Sequence, residues 1–288
     1  MRKGLKRILA LLLCTLLIMG FATPFASAVA SNRIKFPTSA SKVTIYSSNS
    51  RVLEGEAAII DSVTYVGLRA FCELFGDYKI SWNEKTRTAS VSADGLSVTA
   101  TQGDIYIYAN GRCLYTVGAV RIIDDRMCVP IRAIAKALGV SVEWDSATRS
   151  VTLKKGSRGF ADAESFYDSD DLYWLSRIIS AESKGEPLVG QIAVGNVVLN
   201  RVRSKDYPNT VYGVIFDRKH GTQFSPVAIG TIYQTPSASS IIAAKICLEG
   251  YSISNEILFF MNPKIATSNW ISKNRPYAFT IGNHKFYT

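Results

Sequence analysis

The chain repeats itself once, and that repeat limits what its first half can fold into. Val66-Gly67-Leu68-Arg69-Ala70-Phe71 is matched by Val129-Pro130-Ile131-Arg132-Ala133-Ile134 at an offset of 63, as Gly76 is by Gly139. Trp82, Thr86 and Arg87 are matched by Trp144, Thr148 and Arg149 at an offset of 62. Both copies share one layout. Alternating apolar residues predict strands first, at Val43-Thr44-Ile45-Tyr46 and Ile105-Tyr106-Ile107-Tyr108. A short helix follows, from Leu68 to Phe75 or Ile131 to Leu138, stopped by Gly76 or Gly139. A hairpin through Trp82 or Trp144 closes each copy, and both indoles are expected to pack in the core, with a sugar platform as the alternative. The polar break Gly156-Ser157-Arg158-Gly159 ends the region. The expected fold class is α+β: a β-rich two-copy domain over residues 36–156 (copies about 36–93 and 94–156), then a mainly α domain over 160–288.

The other constraint is at the N-terminus. Arg2, Lys3, Lys6 and Arg7 precede an apolar run from Ile8 to Phe25, and Ala26-Ser27-Ala28 has the small residues of a cleavage site. Residues 1–28 are predicted to be a secretory signal peptide, and the mature protein to lie outside the cytoplasmic membrane, touching it only if the peptide stays uncleaved. A 47% hydrophobic and 19% charged composition excludes a wholly disordered chain. The net charge of +10 is spread out, with no Lys/Arg run after Arg7, which argues against a nucleic-acid partner. After cleavage Cys72, Cys113, Cys128 and Cys247 remain, too few for a disulfide scaffold and without metal-ligand spacing. With only His220 and His284 in the chain, neither a metal nor a cofactor is expected.

The chemistry is expected on the helix that opens at Ser169-Asp170-Asp171. Leu172, Leu175, Ile178 and Ile179 form its apolar stripe, and Glu182 takes the next slot of that stripe. Burial there, at the negative end of the helix dipole, raises a carboxyl pKa, as a general acid near neutral pH requires. The same pattern also fits a glutamate swung into solvent or paired with Arg177 or Arg201. Lys184-Gly185 ends the helix, and Glu186 precedes Pro187 at the start of a second one rich in small residues (Gly190, Ala193, Gly195). A third helix is expected from Thr235-Pro236 to Gly250.

Two resemblances follow from these motifs. The frame Val129 to Val151 resembles the copper amine oxidase N-terminal-like domain of secreted bacterial proteins, with Gly67 and Cys72 as departures in the first copy. No histidine precedes residue 220, so the likeness implies no copper, and the domain reads as a wall-binding module or a spacer. In the second half, Ala181-Glu182-Ser183-Lys184-Gly185-Glu186-Pro187, Val198-Leu199-Asn200-Arg201-Val202, Tyr207-Pro208-Asn209-Thr210-Val211, Gln223-Phe224-Ser225-Pro226, Asn262-Pro263 and Ile281-Gly282-Asn283-His284 occur in order. This set resembles the SleB-type spore cortex-lytic cell-wall hydrolases. That resemblance implies a lysozyme-like fold cutting peptidoglycan glycan strands, usually as a lytic transglycosylase, in cortex lysis at germination or in wall remodelling; a hydrolase, the alternative, would need a second carboxylate, for which Glu186, Asp206 and Asp217 are available. It places the catalytic acid on Glu182 and puts Glu186, Gln223, Ser225 and Asn262 along the cleft. Trp270 is a candidate for stacking on sugar. Phe259-Phe260-Met261 departs from the family, where tyrosines are usual. Two other readings stand beside this one: a non-catalytic wall-binding protein, and a cysteine amidase or peptidase using Cys247 and His284.

Overall fold

The repeat becomes a pseudo-two-fold in three dimensions. In a computed structural model, residues 33–47, 52–156, 159–219, 221 and 223–288 are described. The signal segment, Ser157-Arg158 of the polar break, and His220 lie outside them. The first copy runs β1 (Ser41–Lys42), β2 (Thr44–Ser47), β3 (Val52–Leu53), β4 (Ala57–Ile60), β5 (Val63–Gly67), α1 (Leu68–Glu73), β6 (Lys79–Asn83) and β7 (Thr88–Ala93). The second runs β8 (Leu96–Thr101), β9 (Tyr106–Ala109), β10 (Arg112–Tyr115), β11 (Arg121–Ile123), β12 (Arg126–Pro130), α2 (Ile131–Ala137), β13 (Val140–Asp145) and β14 (Ser150–Lys155). β5 and β12 pair antiparallel with Val66 opposite Val129. Those two valines are equivalent by the 63-residue offset, so the symmetry axis passes between them. The tight turns before these strands match too. Asp61-Ser62 and Asp124-Asp125 all have positive φ, the conformation a two-residue hairpin requires.

The copies exchange strands rather than fold side by side. β2 of the first copy pairs in parallel with β14 of the second. The first copy's closing hairpin, β6–β7, is extended by β8, β9 and β10. One core is shared, with Ile45, Val66, Phe71 and Val91 packed among Ile107, Val129, Ile134 and Leu153. At the closing hairpins, Asn83 and Asp145 accept backbone N–H bonds from the residues two and three further on. Arg87 and Arg149 then end both turns at φ near +50°. The hairpin tryptophans are not core residues: Trp82 is 43% and Trp144 42% exposed. They sit near the hairpin tips, beyond the buried inner residues.

The second half is helical: α3 (Ala163–Phe166), α4 (Ser169–Ser183), α5 (Leu188–Arg203), α6 (Val211–Phe216), α7 (Ser225–Ile229), α8 (Ala238–Leu248) and α9 (Trp270–Asn274). Helix α8 opens at Ala238 rather than at Thr235-Pro236, because the Ser237 hydroxyl accepts from the Ser240 N–H and caps it there. α4, α5 and α8 pack together most closely at Gly195, where an added Cβ would come within 2.7 Å of Cys247 Sγ and 2.8 Å of Ile179 Cδ1. The tail contains a three-stranded antiparallel sheet absent from the sequence reading. Its strands are β15 (Phe259–Met261), β16 (Tyr277–Ile281) and β17 (His284–Tyr287), with β17 central. Phe286 of β17 is fully buried in the helical core.

The two halves are joined by more than a linker. Cys113 of β10 lies inside the helical core, with Tyr106, Tyr108 and Tyr115 packed against it. Arg112 makes a two-pronged ion pair with Glu249 at 2.6 and 2.8 Å. Its guanidinium is stacked between Phe166 at 3.3 Å and Phe160 at 4.2 Å. Lys136 and the Tyr167 hydroxyl complete the shell around the Glu249 carboxylate at 2.8 and 2.9 Å. Burial opposes ionisation of Glu249, but these donors outweigh it and hold its pKa below the usual carboxylate range.

Candidate active site

Glu182 is presented by the last turn of α4. Asp168 caps that helix, its carboxylate accepting from the N–H groups of Asp170 and Asp171 at 3.0 and 2.9 Å. Leu175, Ile178 and Ile179 are fully buried, which fixes the rotation of the helix. The same stripe carries Glu182 into a partly buried position one turn further on. Among the described residues its carboxyl makes no hydrogen bond and no ion pair. Burial pushes its pKa up to about 7, against the opposing pull of the Arg201 charge. At neutral pH it is therefore divided between acid and carboxylate, the condition for donating a proton and taking one back.

Arg201 is the residue that reading the sequence missed as a site residue. It is 5% exposed, and its Nε donates to the Leu258 carbonyl at 2.8 Å. The guanidinium lies 5.0 Å from the Tyr207 ring, 5.2 Å from Phe224 and 5.5 Å from Phe259. Its Nη1 is buried with no hydrogen-bond partner among the described residues. Three motifs far apart in the chain each supply one aromatic ring to this one cation. The available signal was their ordered co-occurrence with Asn200-Arg201, but an arginine near a helix end looks like a solvent-facing one until the rings close over it.

Glu186 stands apart from that cluster in its bonding. Its Oε2 accepts from the Asn283 backbone N–H at 2.9 Å and its Oε1 from the Asn283 side-chain amide at 3.0 Å. Burial works against its ionisation, but the two Asn283 bonds, with His284 and Lys264 nearby, hold its pKa below normal. The turn between β16 and β17 makes this grip possible. Gly282 has φ of +58°, and a Cβ there would lie 1.9 Å from Glu186 Oε2. His284 is 5% exposed, with Nδ1 4.0 Å from Glu186 Oε1. Burial lowers its pKa more than Glu186 raises it, so the ring is neutral near pH 7. Gln191 ties the Glu186 carbonyl to α8, donating to that oxygen at 2.9 Å while its own Oε1 accepts from Ser240 at 2.8 Å.

The remaining candidates line up through aromatic contacts rather than hydrogen bonds. Phe224, between Gln223 and Ser225, lies 6.5 Å from Phe260, and Phe260 meets His284 edge-on at 5.4 Å. Gln223 is partly buried and donates to the Gly221 carbonyl, and Ser225 is exposed at the start of α7. Asn262 accepts from the Lys264 N–H at 3.0 Å. Trp270 is 52% exposed beside Phe259 and Arg275. Among the described residues none of these four bonds to Glu182.

Cys247 is unsuited to be a nucleophile. Its thiol is buried between α5 and α8, donates to the Ile192 carbonyl at 3.4 Å, and has its pKa raised by burial. His284 lies on the sheet against Phe260 and Glu186 instead. Cys72, Cys113, Cys128 and Cys247 are all free and buried. Among the described residues no cluster of three or more His, Cys, Asp or Glu side chains is placed to hold a metal ion.

Residues 185–287 match the cell wall hydrolase family, and residues 46–153 match the copper amine oxidase N-terminal domain. A spore cortex-lytic enzyme of Bacillus cereus is 33% identical over 190 residues, 59% of this chain and 72% of that protein. The spore cortex-lytic enzyme of Bacillus subtilis is 38% identical over 120 residues, covering 42% of this chain and 38% of its own length. Among solved structures, the catalytic domain of the germination-specific lytic transglycosylase SleB of Bacillus anthracis is 40% identical. It covers 42% of this chain and 97% of its own, with a TM-score of 0.39.

Proposed function

Because the chain belongs to the spore cortex-lytic enzyme family of cell wall hydrolases, we propose that it cleaves peptidoglycan glycan strands during spore cortex lysis, with Glu182 as its proton donor. The enzyme works at the spore cortex or cell wall, reached by secretion through the N-terminal segment. Neutral Glu182 protonates the β-1,4 oxygen between N-acetylmuramic acid and N-acetylglucosamine, and an oxocarbenium-like centre forms at the muramic C1. The Glu182 carboxylate then takes the proton of the C6 hydroxyl, which closes on C1 and leaves a 1,6-anhydro end. Arg201 stabilises the carboxylate between the two proton transfers, and its aromatic surround keeps that charge out of bulk water.

One observation carries this reading: a carboxyl whose pKa burial raises to about 7, with no hydrogen-bond partner among the described residues. A hydrolase working through two carboxylates needs the second one free to act on water or on the sugar. Of the three candidates, Glu186, Asp206 and Asp217, Glu186 has both oxygens engaged by Asn283, and Asp217 accepts from the Lys219 N–H. Glu186 braces the strand turn against α5, and the internal hydroxyl serves as nucleophile. Gln223, Ser225, Asn262 and Trp270 line the path of the strand. The test is mass spectrometry of peptidoglycan digested by the full chain. Anhydro ends, lighter by one water than reducing ends, are expected. Reducing ends alone overturn the transglycosylase chemistry, while full activity in a folded Glu182→Gln variant overturns the assignment of the acid. General-acid removal is expected to cost about 10²–10⁴-fold in kcat/KM.

A further inference from the structure

The repeat domain carries a groove that the cleavage chemistry does not use. It has a volume of about 380 Å³ and is open to solvent where the three sheets of the domain meet. That volume falls within the roughly 300–1,000 Å³ of small-molecule clefts. Trp144 of β13 forms one wall, Tyr115 and Val117 another, and Arg132 at the start of α2 the rim. Val117 is 71% exposed. Thr116, also in the lining, is 1% exposed.

The two copies differ at this point. In the first copy the equivalent indole, Trp82, donates to Glu84 at 2.5 Å and lies under Arg87 at 6.0 Å. In the second copy Ser146 stands where Glu84 does, and Asp145, like Asn83, spends its side chain on the turn, accepting from Ala147 and Thr148. Trp144 is left without a hydrogen bond among the described residues and faces the groove. Arg132 likewise makes no ion pair or hydrogen bond there. The groove thus offers a flat apolar ring, an unused indole N–H and a cation unpaired among the described residues.

We propose that this groove is a second glycan-binding site. It seats the apolar face of an N-acetylated amino-sugar unit of a peptidoglycan strand on Trp144, with Arg132 meeting a carboxylate carried by the strand. A pyranose face of axial hydrogens packs on an indole, and an amphipathic ring with a polar tip suits a surface of that kind. Charge supports the occupant, since residues 29–159 hold 17 basic and 12 acidic side chains while the wall polymer is polyanionic. Tyr115 links the groove to the catalytic half, its ring stacked on Tyr251 at 3.7 Å. The proposal goes beyond the cleavage reading and rests on it only for the choice of polymer.

The test uses the full chain carrying Glu182→Gln, titrated with N-acetylchitopentaose and separately incubated with peptide-stripped glycan strands. Adding Trp144→Ala is expected to abolish one component of the binding isotherm and to weaken retention on strands by about tenfold or more. Trp82→Ala is expected to change either by less than about twofold, and Trp144→Phe to restore most of the binding. Both tryptophans are exposed, so thermal melting of each variant is expected to match the parent. Equal binding by Trp144→Ala and Trp82→Ala overturns the proposal, as does competition by free stem peptide with none by the glycan. Failure of the cleavage reading shows up differently, as wall digestion that persists in Glu182→Gln, and it leaves the contrast between the two tryptophans intact.

Discussion

A single carboxyl and a single guanidinium set the pH behaviour of the proposed reaction. Glu182 must be protonated to act, and burial holds its pKa near 7, so kcat/KM is expected to be high below that value and to fall as pH rises through about 7. Arg201 favours the carboxylate form. Arg201→Met removes that pull and leaves burial unopposed, so the alkaline limb of the pH profile should move upward. A pH profile of Arg201→Met that superimposes on the parent's would show that the two side chains are not coupled. The motif pattern put Glu182 in the apolar stripe, because helical periodicity is local. Arg201 was not legible in the same way. Its burial is created by Tyr207, Phe224 and Phe259, which reach it from three other segments.

Among the elements, the turn between β16 and β17 is the one the proposed site depends on most. Two features at Gly282 converge: its positive φ favours glycine, and its missing side chain lets the Glu186 carboxylate approach the Asn283 N–H. Gly282→Ala is therefore expected to release Glu186 from Asn283, destabilise the fold by about 1–3 kcal/mol, and lower activity through misplacement of the sheet. Thermal melting and peptidoglycan turnover measure the two effects, and a fully active, equally stable variant would sink the argument. The sheet escaped the sequence reading although Gly282-Asn283 between alternating apolar residues is a hairpin signal. The motif drew attention to single residues and away from period-two spacing. Helix α4, by contrast, starts where Ser169-Asp170-Asp171 and the apolar stripe placed it, although its cap is Asp168 rather than one of those three.

Glu249 is one of the contacts that join the two halves, beside Cys113 in the helical core and Tyr115 on Tyr251. Arg112→Ala leaves that buried carboxylate with only Lys136 and Tyr167 and is expected to cost up to about 3 kcal/mol, read as a fall in denaturation midpoint shared by both halves. Because the pKa of Glu249 is depressed in the folded state, its contribution is present above the ordinary carboxylate pKa and is lost as pH falls through the depressed value. The parent should thus lose stability in acid more steeply than Arg112→Ala. From the sequence alone came the duplicated frame, its helix-stop glycines, the α4 stripe with its terminal carboxyl, and the ordered motifs of the second half. All of these rest on spacings of a few residues, or on a repeat read directly along the chain. Tertiary structure alone decided that the copies trade strands about Val66 and Val129, that Trp82 and Trp144 face outward to different surroundings, and that Cys113 belongs to the helical core. It also decided that aromatic rings from two loops and strand β15 enclose one arginine. Apart from the Tyr207 ring and the local partners of Trp82, those outcomes depend on contacts between residues tens to more than a hundred positions apart, where burial is fixed by what the rest of the chain brings alongside and no local pattern records it.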